Sequence, residues 1–285
     1  MSLTHAPVGD TQLRLERRFS AAPAPLYDAH LEPALLTRWL GVRMPLQTCE
    51  VRPKTGGSFR YVWRHDGGEM GMGGRFVLLA PGARIVHSEL FDEDWTGGEV
   101  RVDTRFHRLD DGTRLDMLLT YPTGEARDGV LQTGMLAGME EGYQALEALL
   151  NEGPICVSAH TSVSPERAWA AFTQPQSVMR WNFASPEWCC PAAESDLREG
   201  GRFSYRMAAV DGSMAFDFAG TWESVAPHSR LVQVLGDGRR VEIRFAESDG
   251  GTRVSQIFDP DGQAPRDMQR AGWQAILDRY AQVAS

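Results

Sequence analysis

The chain repeats itself, and that limits the folds open to it. Phe19–Trp39 reads FSAAPAPLYDAHLEPALLTRW, and Thr161–Trp181 reads TSVSPERAWAAFTQPQSVMRW. Aligned without a gap at an offset of 142, Pro23 falls on Pro165, Tyr27 on Trp169, Pro33 on Pro175 and Arg38-Trp39 on Arg180-Trp181. Further matches follow in the same order with small loop differences. Gly56-Gly57-Ser58-Phe59 answers Gly200-Gly201-Arg202-Phe203, and Gly74 answers Gly220. Pro81 and Arg84 answer Pro227 and Arg230, and Gly112-Thr113-Arg114 answers Gly251-Thr252-Arg253. Gly142-Tyr143-Gln144-Ala145-Leu146 answers Gly272-Trp273-Gln274-Ala275-Ile276. A period this long means one domain used twice, and each half is near the commonest domain size. The junction falls at Asn151-Glu152-Gly153-Pro154, where Gly-Pro ends one element and starts another. The expected domains are residues 10–152 and 153–285.

Within one repeat, Leu13–Phe19 alternates apolar and polar residues, the pattern of a strand with one face buried. Pro23 and Pro33 each suit the first turn of a short helix, where the missing N–H costs nothing. Period-two sets follow: Phe59, Tyr61 and Trp63; Met70, Met72, Gly74 and Phe76; Val100, Val102, Thr104 and Phe106; Leu115, Met117 and Leu119. Asp66-Gly67-Gly68 and Asp110-Asp111-Gly112 read as hairpin turns. The second half repeats the scheme with Phe203, Tyr205 and Met207, then Phe216, Phe218 and Trp222, then Val241, Ile243 and Phe245. Each half closes on a helix, marked by Met135, Met139, Tyr143, Leu146 and Leu150 in the first and by Trp273, Ile276, Tyr280 and Val283 in the second. A curved sheet with one apolar face needs a cover, and the closing helix supplies it. The expected class is α+β, with each antiparallel sheet wrapped around its C-terminal helix.

Function classes are narrowed more by absence than by presence. The net charge is −9 with no basic run, which argues against nucleic acid or an anionic membrane as partner. No apolar run approaches the roughly 20 residues of a membrane span. Met1–Asp10 lacks the basic-then-apolar pattern of a secretory signal, so a cytoplasmic protein is expected. Cys49, Cys156, Cys189 and Cys190 include no C-x-x-C pair and are expected as reduced thiols. The seven histidines show no metal spacing, and no nucleophile elbow or phosphate loop occurs. Neither a metal, a cofactor nor a catalytic residue is therefore assigned.

The P-x-x-x-[YW] and P-x-x-[LV]-x-R-W segments, the G-G-x-F strand start and the closing G-[YW]-Q-[AI] helix resemble the START-like (SRPBCC) superfamily. Within it the chain is similar to the branch related to the activator of the heat-shock-protein-90 ATPase. The resemblance spans Leu13–Leu150 and Ile155–Val283, and is closer in the second half. It implies two tandem helix-grip, Bet v 1-like domains, each with an apolar cavity between sheet and helix. It does not imply a reaction, since the superfamily hosts carriers, polyketide cyclases and co-chaperone domains.

Candidate ligand-binding residues follow from the aromatic rows and the helix faces. Trp39, Tyr61, Trp63, Met135, Met139 and Tyr143 are the set for a first pocket. Trp181, Phe183, Tyr205, Met207, Phe218 and Trp273 are the set for a second. The same rings would equally serve an ordinary core. Gly134, Gly138 and Gly142 recur every fourth residue of the expected helix at a cost of about 1 kcal/mol each, which implies either close packing or cavity space there. Arg52, Asp196 and Arg198 are candidate polar anchors for an acidic head group, with a plain surface ion pair as the alternative. The expected function is a binding module for a small apolar or amphipathic molecule. An enzyme of cyclase or hydrolase type would need a His or charged residue in the cavity, with Arg198, Asp196 and His107 the first candidates. A protein-interaction module would need an exposed apolar patch.

Overall fold

The computed structural model describes residues 2–285; Met1, the first residue of the N-terminal stretch considered above, lies outside the described residues. The chain divides into two compact units between Gly153 and Pro154. The first holds β1 (Thr4–Val8), β2 (Gln12–Phe19), α1 (Pro23–Ala29), α2 (Pro33–Trp39), β3 (Leu46–Val51), β4 (Ser58–His65) and β5 (Gly68–Ala80). It continues with β6 (Arg84–Phe91), β7 (Val100–Leu109), β8 (Gly112–Thr120), α3 (Gly124–Val130) and α4 (Met135–Glu152). The second holds β9 (Ile155–Thr161), α5 (Pro165–Thr173), α6 (Pro175–Trp181), β10 (Trp188–Ser195), β11 (Arg202–Ala209) and β12 (Ala215–Ala226). It ends with β13 (Arg230–Leu235), β14 (Arg240–Ser248), β15 (Gly251–Phe258) and α7 (Arg266–Ala284).

The strand order is β1-β2-β8-β7-β6-β5-β4-β3 in the first sheet and β10-β11-β12-β13-β14-β15-β9 in the second. In both, the strand that leads into the two short helices pairs antiparallel with the last strand of the unit, β2 with β8 and β9 with β15. Two short helices and a run of hairpins lie between those partners. All pairings are antiparallel, and each unit is an α+β helix-grip domain with its last helix over the sheet.

The matched residues of the repeat do matched work. Pro23, Pro33, Pro165 and Pro175 each open a helix. Trp39 Nε1 donates to Ala29 O, and Trp181 Nε1 donates to Ala171 O, both at 3.0 Å. These bonds lock the paired short helices together. Thr113 Oγ1 donates to Ala21 O and Thr252 Oγ1 to Val163 O, both at 2.7 Å, tying the last strand to the segment that enters the first helix. Gly56 and Gly200 both have φ of +76°, a left-handed turn that glycine enters without strain. Gly74 and Gly220 face the backbone of the neighbouring strand so closely that a Cβ would strike Ser88 O and Val234 O respectively. Each of these two strands carries a bulge just beyond its glycine, between Phe76 and Leu78 and between Trp222 and Ser224. A bulge bends its strand, and two bulges at one matched place give the two sheets the same curl.

Several elements depart from the sequence expectation. Thr4–Val8 forms a fully exposed edge strand paired with β2, so the first unit begins before residue 10. Nothing buries its side chains, and backbone pairing alone leaves no alternating pattern to read. Gly134 is not inside the helix; it caps α4 with φ of +78°. Phe216 lies at the outer end of β12, 47% exposed and beside Trp188, because the strand there runs past its helix cover. Asp196 and Arg198 lie in the turn after β10 and not on a strand face.

A methyl group at either crowded glycine must push strand from strand. Gly74→Ala and Gly220→Ala are expected to lower the stability of their own units by about 1–3 kcal/mol in urea denaturation. Gly129→Ala, where a Cβ meets open space, should be neutral or slightly stabilising.

Candidate ligand-binding site

A cavity of about 550 Å³ lies between sheet and helix in the first unit. Its walls come from alternate residues of successive strands. β4 gives Phe59, Tyr61 and Trp63; β5 gives Met70, Met72 and Phe76; β6 gives Ile85, His87, Glu89 and Phe91. Val102 and Thr104 of β7 and Met117 and Leu119 of β8 complete the sheet side. Helix α4 covers it with Met135, Gly138, Met139, Gly142 and Tyr143, while Leu36 and Trp39 of α2 and His30 close one side. Trp39, Tyr61, Trp63, Met135, Met139 and Tyr143, the candidates for the first pocket, are therefore brought together around one space. Trp39 stacks on Tyr143 at 5.8 Å, and Trp63 Nε1 donates to Leu40 O at 3.0 Å.

The two helix glycines that face the cavity divide the roles considered for them. A Cβ on Gly142 would sit 3.3 Å from Trp39 O, so Gly142 serves close packing of α4 on α2. At Gly138 the nearest atoms belong to the flexible Arg43 side chain, so that position leaves space. Arg43 is itself ion-paired with Glu141 at 2.9 Å at the rim of the cavity. On the other side of α4, the buried Arg17 guanidinium lies 3.2 Å from Glu147 and 3.5 Å from Glu140 and pins the helix to β2.

His30, His87 and Glu89 also line this apolar space, and sequence alone does not assign them to a site. His30 Nδ1 lies 2.7 Å from Leu26 O, a contact only a ring N–H makes, so the proton sits on Nδ1. Its Nε2 is buried without a partner. His87 Nε2 lies 3.2 Å from Glu89 Oε2, and His87 Nδ1 is likewise buried without a partner. Burial pushes the His30 imidazole down to about 4, the Leu26 carbonyl opposes this, and the charge of His87 adds to it. The Tyr61 and Tyr143 hydroxyls are held above the usual phenol range, mainly by burial, and the Glu89 charge pushes both the same way.

The polar anchors expected from sequence lie elsewhere. Arg52 is exposed beyond β3 and does not line the cavity. Asp196 and Arg198 pair with each other at 2.8 Å, their side chains 53% and 70% exposed. Exposed pairs of this kind are weak and structural. Asp196 also borders a surface hollow over β10–β13 whose lining is largely polar or small. His107 is half-buried on β7 and is not part of the cavity wall.

The second unit is packed where the first is hollow. Trp181 lies 4.9 Å from Phe172 and 5.3 Å from Tyr280. Trp273 stacks on Phe258 at 4.0 Å, and Phe218 meets its edge at 5.9 Å. Tyr205 rests on Phe203, Met207 Sδ accepts a bond from Asn182, and the Arg279 guanidinium covers Phe183 at 4.1 Å. The helix ring that meets Trp181 is thus Tyr280, although Trp273 is the sequence match of Tyr143. Strand pairings give the exchange residue by residue. Gly74 and Phe76 pair with Glu89 and His87, while Gly220 and Trp222 pair with Leu235 and Gln233. Phe172 stands at the position of His30 in the gapless alignment. Thr104 corresponds to Ile243 and Met72 to Phe218 through their paired neighbours. With the exception of Gln233, which stays polar, apolar groups therefore fill the volume that the first unit leaves open. The signal for His87 and Glu89 was present in sequence, in the spacing Ile85, His87, Glu89, Phe91 against Leu231, Gln233, Leu235.

The buried neutral His30 makes stability depend on pH. An unfolded imidazole binds its proton near 6.5 and the folded one only near 4, so the unfolded state holds more protons between these values. Stability is full above 6.5 and falls as pH drops towards 4, by on the order of 3 kcal/mol. His30→Phe, which places the residue of the second unit in the first, should flatten this slope in urea titrations at pH 7 and pH 4.5.

Among the described residues no helix is long and apolar enough to cross a membrane, and no group of three or more metal-ligating side chains is gathered. A search of the curated proteins gives no match. A protein of known crystal structure from Rhodobacter sphaeroides is 39% identical with a TM-score of 0.50, the match covering 53% of this chain and 98% of that one. An AHSA1-like protein from Aeromonas hydrophila, solved by NMR, is 42% identical over 46% of this chain and 90% of that one, with a TM-score of 0.44. The sequence model of the family described as activator of Hsp90 ATPase homolog 1-like protein matches twice, at residues 20–151 and 162–285. The chain belongs to that family and carries its START-like domain in two tandem copies.

Proposed function

We propose that the first unit binds a small apolar or amphipathic molecule in its cavity, and that the second unit is a solid-core copy without such a site. The observation that carries this reading is the contrast between two copies of one fold. The same sheet and helix enclose about 550 Å³ in one and stacked rings in the other. An occupant of this hollow is favoured by the apolar area it hides. The volume suits a ligand of a few fused rings or a short acyl chain. The four free thiols accord with a cytoplasmic setting.

A second reading is supported by the His87–Glu89 pair. A hydrogen-bonded His and carboxylate in a cavity are the parts of a general acid–base catalyst. An enzyme of cyclase or hydrolase type would use them, and it would release a molecule chemically different from the one that entered. A protein-docking role of the kind the family description suggests finds its support in the second unit. There Val210, Met214 and Phe216 are 66%, 60% and 47% exposed around the β11–β12 hairpin.

Native mass spectrometry of the freshly purified protein, followed by denaturing extraction, tests the binding reading. A stoichiometric apolar compound is expected at one copy per chain. Met139→Trp, which fills the cavity from α4, should abolish its retention while leaving the protein folded. An empty protein that also takes up no apolar probe overturns the reading.

A further inference from the structure

Glu89 is out of place in the cavity. Its side chain is only 18% exposed and lies in a wall of Phe, Trp, Tyr and Met side chains. Burying a carboxylate is costly unless hydrogen bonds or an opposite charge compensate it. Among the described residues its hydrogen-bond partner is His87, through Oε2, which leaves Oε1 unmatched. The fold does not require this acid, because the second unit builds the same strand pairing with Leu235 at the same position.

The two imidazoles of the cavity each hold a buried nitrogen without a partner. His30 carries its proton on Nδ1 and presents a bare lone pair at Nε2. His87 Nδ1 is also buried and unpartnered. The nitrogen donors nearby are already used, Trp39 Nε1 on Ala29 O, Trp63 Nε1 on Leu40 O and Arg43 on Glu141 at the rim, while the Tyr61, Tyr143 and Thr104 hydroxyls of the lining can donate or accept. Among the described residues Glu89 is thus the one carboxylate of the lining, set among imidazole nitrogens and hydroxyls.

Resting on the ligand-binding reading above, we propose that the occupant is an apolar molecule whose buried end is a hydrogen-bond donor, an O–H or N–H, received by the Glu89 carboxylate. A ligand headed by a carboxylate is rejected, because it would face Glu89 with like charge and bring no donor. His87, bonded to the other oxygen, positions the acid, and the apolar walls strengthen the bond by excluding water. A neutral hydroxyl and an ammonium are both donors of this kind.

The test uses the full chain and four probes of one ring system, followed by calorimetry or tryptophan fluorescence. They are 2-methylnaphthalene, 2-naphthol, 2-(aminomethyl)naphthalene and 2-naphthoate. The ratio of affinities, donor probe over 2-methylnaphthalene, is the readout. In Glu89→Leu this ratio should fall about ten- to one-hundred-fold, the span of a hydrogen bond to a charged group, while 2-methylnaphthalene binding is kept. Whichever donor loses more, hydroxyl or ammonium, identifies the source. Naphthoate should bind more weakly than 2-methylnaphthalene to the unaltered protein. Glu89→Gln, of the same shape, carries the test if the leucine variant does not fold. A ratio unchanged by both substitutions, or tight naphthoate binding, overturns the proposal and leaves the cavity reading standing. Failure of all four probes to bind overturns the cavity reading itself.

Discussion

One constraint organises each unit: the concave apolar face of an antiparallel sheet must be covered, and one helix at the end of the unit has to do it. The sheet cannot close on itself, and its two short helices reach only one side. The devices that aim the closing helix are therefore decisive. In the first unit the buried Arg17 holds α4 through Glu140 and Glu147. In the second, Arg270 Nη1 and Gln274 Nε2 of α7 donate to Cys156 O and Ser158 O of β9, each at 2.9 Å. Two different sets of bonds thus fasten helix to opening strand in one geometry.

Because the chain carries the fold twice, it separates what the fold needs from what the site needs. The paired prolines, the indole bonds of Trp39 and Trp181, the threonine bonds and the crowded glycines recur with matched distances. These are backbone devices, and both units use them. The residues that differ are those pointing between sheet and helix. His30, Met72, Phe76, Thr104, His87 and Glu89 give way to Phe172, Phe218, Trp222, Ile243, Gln233 and Leu235. Apart from the polar Gln233, the exchange trades polar atoms and space for rings and branched chains, and it leaves strand register unchanged.

Much of this architecture was legible in the sequence, because period-two rows such as Phe59, Tyr61 and Trp63 and proline-led helices have direct physical causes. The aromatic lining of the first cavity was legible for the same reason. What escaped was of two kinds. The edge strand Thr4–Val8 buries nothing, so no pattern marks it. The polar groups of the cavity escaped because a histidine in a short helix and a His-x-Glu step in a strand look like surface residues until their neighbours are known. Occupancy of the second cavity was equally hidden, since Trp181, Tyr205 and Trp273 line a pocket or fill a core according to a few side-chain volumes nearby.

The unequal filling of the two units has a mechanical consequence. Hydrostatic pressure favours whichever state of a protein takes up less volume, and unfolding removes internal voids. A unit with a hollow between its sheet and helix is the compressible half of the chain; a unit packed with stacked rings is the stiff half. Under rising pressure the first unit should yield before the second, and an occupant of its cavity would bring the two halves back into step.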